Sequence, residues 1–177
     1  MINKANIKKR EFMKNVFILL LGSVLLSLIS FKAGADGHLP KSGTISWVTG
    51  WHMDSIDLAP QTGGYALGSI AVRGATFNTN GSGPLHEGRA LCVGTYIVTP
   101  DGATNKGNCA FGDQDGDRIF TTWTGNAATN QGINTIMGGT GKYAGITGSG
   151  PWHCFGPSSV EDDNAFNCRQ SLTYELP

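Results

Sequence analysis

The sequence has little charge and no excess of either sign. Charged residues make up 15% of the 177 residues, and 13 Lys and Arg balance 13 Asp and Glu. No basic run or recognition motif is present, so nothing indicates nucleic-acid binding. No segment of ten or more residues has a helical period, which argues against a helical core. The 40% apolar residues and 26 glycines are instead typical of a turn-rich, all-β chain.

Several catalytic and metal-binding motifs are also missing. The sequence has no G-x-S-x-G elbow and no Ser/His/Asp order. It has no C-x-x-C pair, so zinc at the cysteines is not expected. The glycines before Lys142 lack the spacing of a phosphate-binding loop, and Tyr143 stands where Ser or Thr is required. We therefore predict no cofactor.

The first 35 residues have the three parts of a signal peptide. Basic residues precede an apolar run at 16–31, and the small residues Ala33-Gly34-Ala35 follow it. We predict cleavage after Ala35 and a mature domain over 36–177, which keeps seven Lys and Arg against twelve Asp and Glu. The apolar run of about 16 residues is shorter than the roughly 20 that span a bilayer, so no stable membrane anchor is expected. These features predict a secreted or periplasmic protein.

The four cysteines all follow the predicted cleavage site. An even number in an oxidising compartment favours two disulfides, for which three pairings exist. The stretches 92–109 and 154–168 are both rich in turn residues. A pairing of Cys92 with Cys109 and of Cys154 with Cys168 is therefore favoured, because each bond would cross a hairpin.

Short runs of alternating apolar and polar residues fill the mature part. In the first of them Ile45, Trp47 and Trp51 share one face and Ser46 and His52 the other. Glycines inside the runs suit the coiling that closes a sheet. The pattern predicts one antiparallel closed β-barrel of about eight strands. The runs are 43–53, 65–77, 85–98, 107–112, 118–124, 132–138, 143–148, 152–155 and 165–175.

One of these runs resembles a known family. Residues 136–148, Ile-Met-Gly-Gly-Thr-Gly-Lys-Tyr-Ala-Gly-Ile-Thr-Gly, resemble the glycine-rich hairpin of the dirigent and allene oxide cyclase superfamily, with Tyr143 starting the returning strand. Residues 115–123 look like the preceding hairpin and strand of its secreted bacterial relatives. The resemblance implies an eight-stranded antiparallel barrel with a central pocket, and a homo-oligomer. The catalytic residues of the plant branches have no counterpart that can be matched here.

Candidate catalytic residues come from two of the predicted strands. His86 opens the long run 85–98 and shares its parity with Tyr96, so the two side chains could line a lumen as an acid–base pair. His52 lies on the polar side of the first strand, which faces either the lumen or solvent. The alternative is a surface histidine at a strand start and a packed tyrosine.

Aromatic and acidic residues supply the remaining candidates. We consider Trp47, Trp51, Trp123 and Tyr143 as ligand-stacking residues, with core packing as the alternative. Asp113, Asp115 and Asp117 alternate along a turn and could bind calcium through their oxygens. Thr124 stands where an EF-hand loop has its bidentate Glu, however, and a hydrated hairpin turn explains the same residues.

These observations favour a secreted barrel that binds a small, largely apolar ligand in its lumen. Two alternatives stay open. One is a cyclase- or isomerase-type enzyme that steers a reactive small molecule, and the other is a structural or oligomeric surface-interaction protein. The sequence alone does not decide whether the protein is an enzyme, although a non-catalytic role is favoured.

Overall fold

Eight antiparallel strands form a closed barrel in the computed structural model, which describes residues 39–156 and 164–177. Each strand pairs with the next along the chain, and β8 pairs with β1 to close the sheet. The all-β barrel predicted from the sequence is therefore confirmed. The predicted signal peptide lies outside the described residues. The strands are β1 (Ser42–Pro60), β2 (Ala66–Asn78), β3 (Gly88–Thr99), β4 (Gly102–Gly112), β5 (Arg118–Asn126), β6 (Gln131–Gly139), β7 (Thr147–Phe155) and β8 (Ala165–Glu175).

The first strand is longer than its alternating pattern predicts. It continues past Met53 to Pro60, because a β-bulge at Asp54 shifts the register against β2. A bulge interrupts the alternation of inward and outward side chains, which hides the rest of the strand from a period-two analysis. Asp54 accepts a hydrogen bond from Arg73 Nε across the strand pair, at 2.7 Å.

Two strand boundaries differ from those expected. Tyr143 does not start a strand, because it ends the 3₁₀ turn Gly141–Tyr143. The strand β7 begins only at Thr147, so it contains the predicted run 152–155 but only the last two residues of the run 143–148. Likewise β3 begins at Gly88, so His86 lies in the preceding turn and does not open the strand. The flanking Leu85 and Glu87 have positive φ values of 59° and 51°, which is turn conformation.

Two disulfides join neighbouring strands. Cys92 on β3 is bonded to Cys109 on β4, and Cys154 on β7 to Cys168 on β8. In each pair the two residues lie directly opposite one another in the strand register. The pairing favoured from the sequence is therefore the one that the structure contains. All four side chains point into the barrel, so the bonds belong to its inner wall.

One end of the barrel is packed with side chains. Trp47 is fully buried and contacts Phe111 edge to face, with ring centroids 5.1 Å apart. Leu85 and Tyr143, from two turns at this end, are also fully buried. This closed end supplies the apolar core, which leaves the lumen free only toward the other end.

Candidate binding site

A cavity of about 280 Å³ occupies the other end of the barrel. All eight strands contribute inward-facing residues to its wall. Aromatic side chains dominate this wall: Trp51, Trp123, Trp152, Phe155, Phe166 and Tyr96. The volume lies at the lower end of the range seen for small-molecule pockets.

Glycines on the strands let two of the tryptophans lie flat against the wall. A Cβ atom at Gly94 would lie only 2.6 Å from Cζ2 of Trp123, and one at Gly107 would lie 2.9 Å from its Nε1. Trp152 rests in the same way against Gly125 and Gly132. At Gly94, Gly107 and Gly132 an added Cβ would also lie 2.0–2.3 Å from a backbone carbonyl oxygen, whereas at Gly125 the three nearest atoms all belong to side chains, two of them to the Trp152 indole. Close approach of this kind is a common reason for glycine within a strand.

A hydrogen-bonded polar layer separates the cavity from the apolar core. The hydroxyl oxygen of Thr49 accepts hydrogen bonds from Gln170 Nε2 at 2.7 Å and from Trp47 Nε1 at 3.1 Å. Asn134 Nδ2 in turn donates to Gln170 Oε1 at 3.1 Å. Because these groups satisfy one another, the floor of the cavity is polar and ordered.

Other polar atoms of the wall have no partner. Asn105 Oδ1, Trp123 Nε1 and Trp152 Nε1 are buried without a hydrogen bond among the described residues. Buried polar atoms of this kind are uncommon, since leaving one unpaired costs about 1–3 kcal/mol. These three atoms, half of the six of this kind among the described residues, belong to side chains that line the cavity.

The described part of the cavity wall carries no charged side chain. Within residues 39–156 and 164–177, no Asp, Glu, Lys, Arg or His side chain lines the cavity. The described wall therefore offers no carboxylate or imidazole for acid–base chemistry, and no ion pair for a charged ligand.

The residues predicted from the sequence are divided between the two ends of the barrel. Tyr96, Trp51 and Trp123 line the cavity. Trp47 and Tyr143 are fully buried at the closed end, where they pack in the core.

Neither candidate histidine reaches the cavity. His52 is exposed on the outer face of β1. His86 lies in the β2–β3 turn at the closed end, edge to face with Phe77 at 6.3 Å between ring centroids. Its Nδ1 atom is buried and has no hydrogen-bond partner among the residues that the structure describes.

The three candidate calcium ligands lie in the β4–β5 turn at the closed end. Lys142 Nζ is 2.9 Å from Asp113 Oδ2 and 2.5 Å from Asp115 Oδ2, so an ammonium group supplies the cation between these carboxylates. Asp117 Oδ2 accepts a hydrogen bond from the backbone N–H of Lys142 at 2.9 Å. In the described part of the chain, no three His, Cys, Asp or Glu side chains are grouped as metal ligands. Calcium at these three residues stays an alternative to the hydrated hairpin turn.

Sequence analysis missed the amides of the site. Asn105, Asn134 and Gln170 were not among the candidates, yet all three are buried in the wall. The alternation of the strands contained a signal for these amides, because each occupies a position on the inward-facing side of its strand. Gln170, for example, lies between the buried residues Cys168 and Leu172.

The described residues define a closed, eight-stranded antiparallel barrel with a cavity in its lumen. No protein-family model matches the chain, and no curated protein matches it. Among solved structures it is similar to the pterocarpan synthase dirigent protein GePTS1, at 11% identity and a TM-score of 0.48, over 84% of this chain and 99% of that chain. It is also similar to the pterocarpan synthase dirigent protein PsPTS1, at 14% identity and a TM-score of 0.45, over 78% of this chain and 98% of that chain. Similarity at this level does not decide what the chain does.

No helix among the described residues has the length and apolar character that crossing a membrane requires.

Proposed function

We propose that this protein is a secreted barrel that binds a small, largely apolar ligand in its lumen. The observation that carries the proposal is the cavity of about 280 Å³, walled by three tryptophans and by uncharged side chains. Burial of an apolar molecule there gains roughly 25 cal/mol for each Å² removed from water. The two disulfides support export, because such bonds persist in oxidising compartments.

Two measurements test this proposal. Native mass spectrometry of the protein from its own source should find a bound small molecule. In a titration with the neutral fluorescent probe N-phenyl-1-naphthylamine, the oxidised protein should bind and Ile70→Trp should not, because Ile70 lines the cavity. Ile133→Trp is the matched control, since Ile133 is exposed on the outer face of β6. Equal probe binding by both variants would contradict the lumen as the binding site.

A surface-interaction role is the second candidate. Leu91 and Val93 on the outer face of β3 are 52% and 50% exposed, and such side chains can pack against another molecule. Light scattering of the wild type and of Leu91→Lys tests it. A dimer or trimer that becomes a monomer on substitution would support this candidate, whereas a wild-type monomer would count against self-association.

A cyclase- or isomerase-type activity has little support from the candidate catalytic residues. Of the three candidate catalytic residues only Tyr96 lines the cavity. An acid–base pair would need a second group, which the described wall lacks. Steering of a reactive ligand by shape alone is the form of catalysis that this cavity supports best.

A further inference from the structure

Tyr96 carries the only hydroxyl group on the described wall of the cavity. It lies on β3 directly opposite Asn105 on β4, and both side chains point inward. Side chains in such directly opposed positions have Cβ atoms about 4.5–5.5 Å apart. The two residues are therefore cross-strand neighbours and form one polar patch, the Tyr96–Asn105 patch, on a wall that is otherwise mainly apolar.

Neither group of this polar patch is used by the fold. The Tyr96 hydroxyl makes no hydrogen bond to any residue within 39–156 and 164–177. Asn105 is only 9% exposed, yet its Oδ1 atom has no hydrogen-bond partner in the same part of the chain. Leaving this buried oxygen unpaired costs the folded protein stability.

Tyr96 supplies the hydrogen-bond donor of the polar patch, because it lines the cavity and its hydroxyl has no partner among the described residues. The indole N–H of Trp123 and the Oδ1 atom of Asn105 are instead enclosed by the wall: a Cβ at Gly107 would lie 2.9 Å from Trp123 Nε1, and one at Gly125 would lie 2.6 Å from Asn105 Oδ1. The complement of the Tyr96 hydroxyl is a ligand with an oxygen acceptor, such as a ketone or an ester.

We infer that the Tyr96–Asn105 patch orients an uncharged, planar apolar ligand through a carbonyl-type acceptor, and that the cavity rejects ions. This inference rests on the proposed function, because it assumes that the lumen is occupied. The aromatic wall favours a planar body. An ionised group would lose its hydration without gaining a counter-ion from the described wall, so the anion of the same shape binds poorly.

The test compares three probes of one shape: 2-acetylnaphthalene, 2-ethylnaphthalene and 2-naphthoate. Binding to the oxidised protein is followed by quenching of tryptophan fluorescence, since three tryptophans line the cavity. The ketone should bind about 3- to 10-fold more tightly than the hydrocarbon, the ratio that one hydrogen bond gives. The carboxylate should bind at least about 10-fold more weakly than the ketone.

Two variants locate the effect. Tyr96→Phe keeps the ring and removes the hydroxyl, so it should abolish the preference for the ketone and leave the affinity for 2-ethylnaphthalene unchanged. Tyr65→Phe removes an exposed hydroxyl and should change neither. A ketone preference that survives Tyr96→Phe, or a carboxylate that binds as tightly as the ketone, would overturn the inference.

The outcomes also separate this inference from the proposed function. Equal binding of all three probes, lost in Ile70→Trp, would overturn the role of the patch and leave ligand binding in the lumen standing. Binding of none of the three probes would overturn both.

Discussion

The hydroxyl of Tyr143 donates a hydrogen bond to the carboxylate of Asp113 and so joins two turns at the closed end of the barrel. The other oxygen of Asp113 accepts from the backbone N–H of Leu85 at 2.6 Å, which ties in a third turn. Burial raises the pKa of Tyr143, and the hydrogen bond to Asp113 raises it further. The phenol therefore stays a donor at physiological pH, and one carboxylate holds three turns together.

Removal of this hydroxyl should weaken the closed end. Tyr143→Phe keeps the buried ring and leaves Asp113 with one fewer donor, so the free energy of unfolding should fall by about 1.5–3 kcal/mol, the range for hydrogen bonds to charged groups. Urea unfolding followed by tryptophan fluorescence measures the change. Tyr65→Phe, at an exposed position, should leave the midpoint within error. Equal midpoints for the two variants would show that the bond contributes nothing net.

The ion pair beside it should make stability depend on pH at both extremes. The hydrogen bond from Lys142 lowers the pKa of Asp115 below its usual 3.8. The contribution of the Asp115 carboxylate to stability is therefore present above about pH 4, and it is lost as the pH falls through the pKa of Asp115 in the folded protein. For Lys142 burial opposes the charge, but the bonds to Asp115 and Asp113 outweigh it and raise the pKa above 10.5. The contribution of the Lys142 ammonium group to stability is complete below pH 10.5, and it is lost as the pH rises through the pKa of Lys142 in the folded protein.

Lys142→Met removes both linkages at once. The variant should be less stable than the wild type by about 1 kcal/mol, since the Asp115 side of the pair is solvent-exposed. This difference should stay constant between about pH 5 and pH 9 and shrink below about pH 3.5. Urea midpoints of both proteins across this range test it. A difference that grows on acidification would contradict the assigned pairing.

The same turn shows why this part of the fold could be only partly predicted. The glycine-rich run and Tyr143 correctly marked a hairpin, because glycine and the turn residues act locally. The 3₁₀ turn was missed, since a bond from Tyr143 to Asp113 joins residues 30 positions apart and leaves no periodic trace. The position of His86 was predicted wrongly for a related reason. The run 85–98 alternates like a strand, but Leu85 and Glu87 have positive φ values, so the strand begins only at Gly88.

Each disulfide should contribute to stability by restricting the unfolded chain. The sequence separations of 17 and 14 residues correspond to about 3 kcal/mol each in the chain-entropy estimate. The double variants Cys92→Ser/Cys109→Ser and Cys154→Ser/Cys168→Ser should therefore lose similar amounts in urea unfolding. Mass spectrometry under non-reducing conditions should find no free thiol in the wild type. Four free thiols, or a cross-linked fragment that joins Cys92 to Cys154, would disprove the pairing.

The polar part of the site illustrates a second limit of the sequence. The tryptophans were candidates because large aromatic residues stand out in any strand. Asn105 and Asn134 read instead as solvent-facing, since amides are mostly exposed in proteins. Only the closed barrel, which places these inward positions around one cavity, gives them a shared location.

Gly125 offers the sharpest test of how the wall fixes the shape of the cavity. The three atoms nearest to a Cβ at this position all belong to side chains: two lie in the six-membered ring of Trp152, and Asn105 Oδ1 would be 2.6 Å away. Gly125→Ala should therefore fold, lose about 1–3 kcal/mol of its free energy of unfolding through overpacking, and displace the indole into the lumen.

Gly50→Ala is the matched control, because the nearest atom to its Cβ would be 3.6 Å away. We expect N-phenyl-1-naphthylamine to bind Gly125→Ala at least about 10-fold more weakly, since a smaller cavity loses the apolar area that drives binding. Unchanged affinity, with a stability loss equal to that of Gly50→Ala, would show that Trp152 does not limit the space available to a ligand.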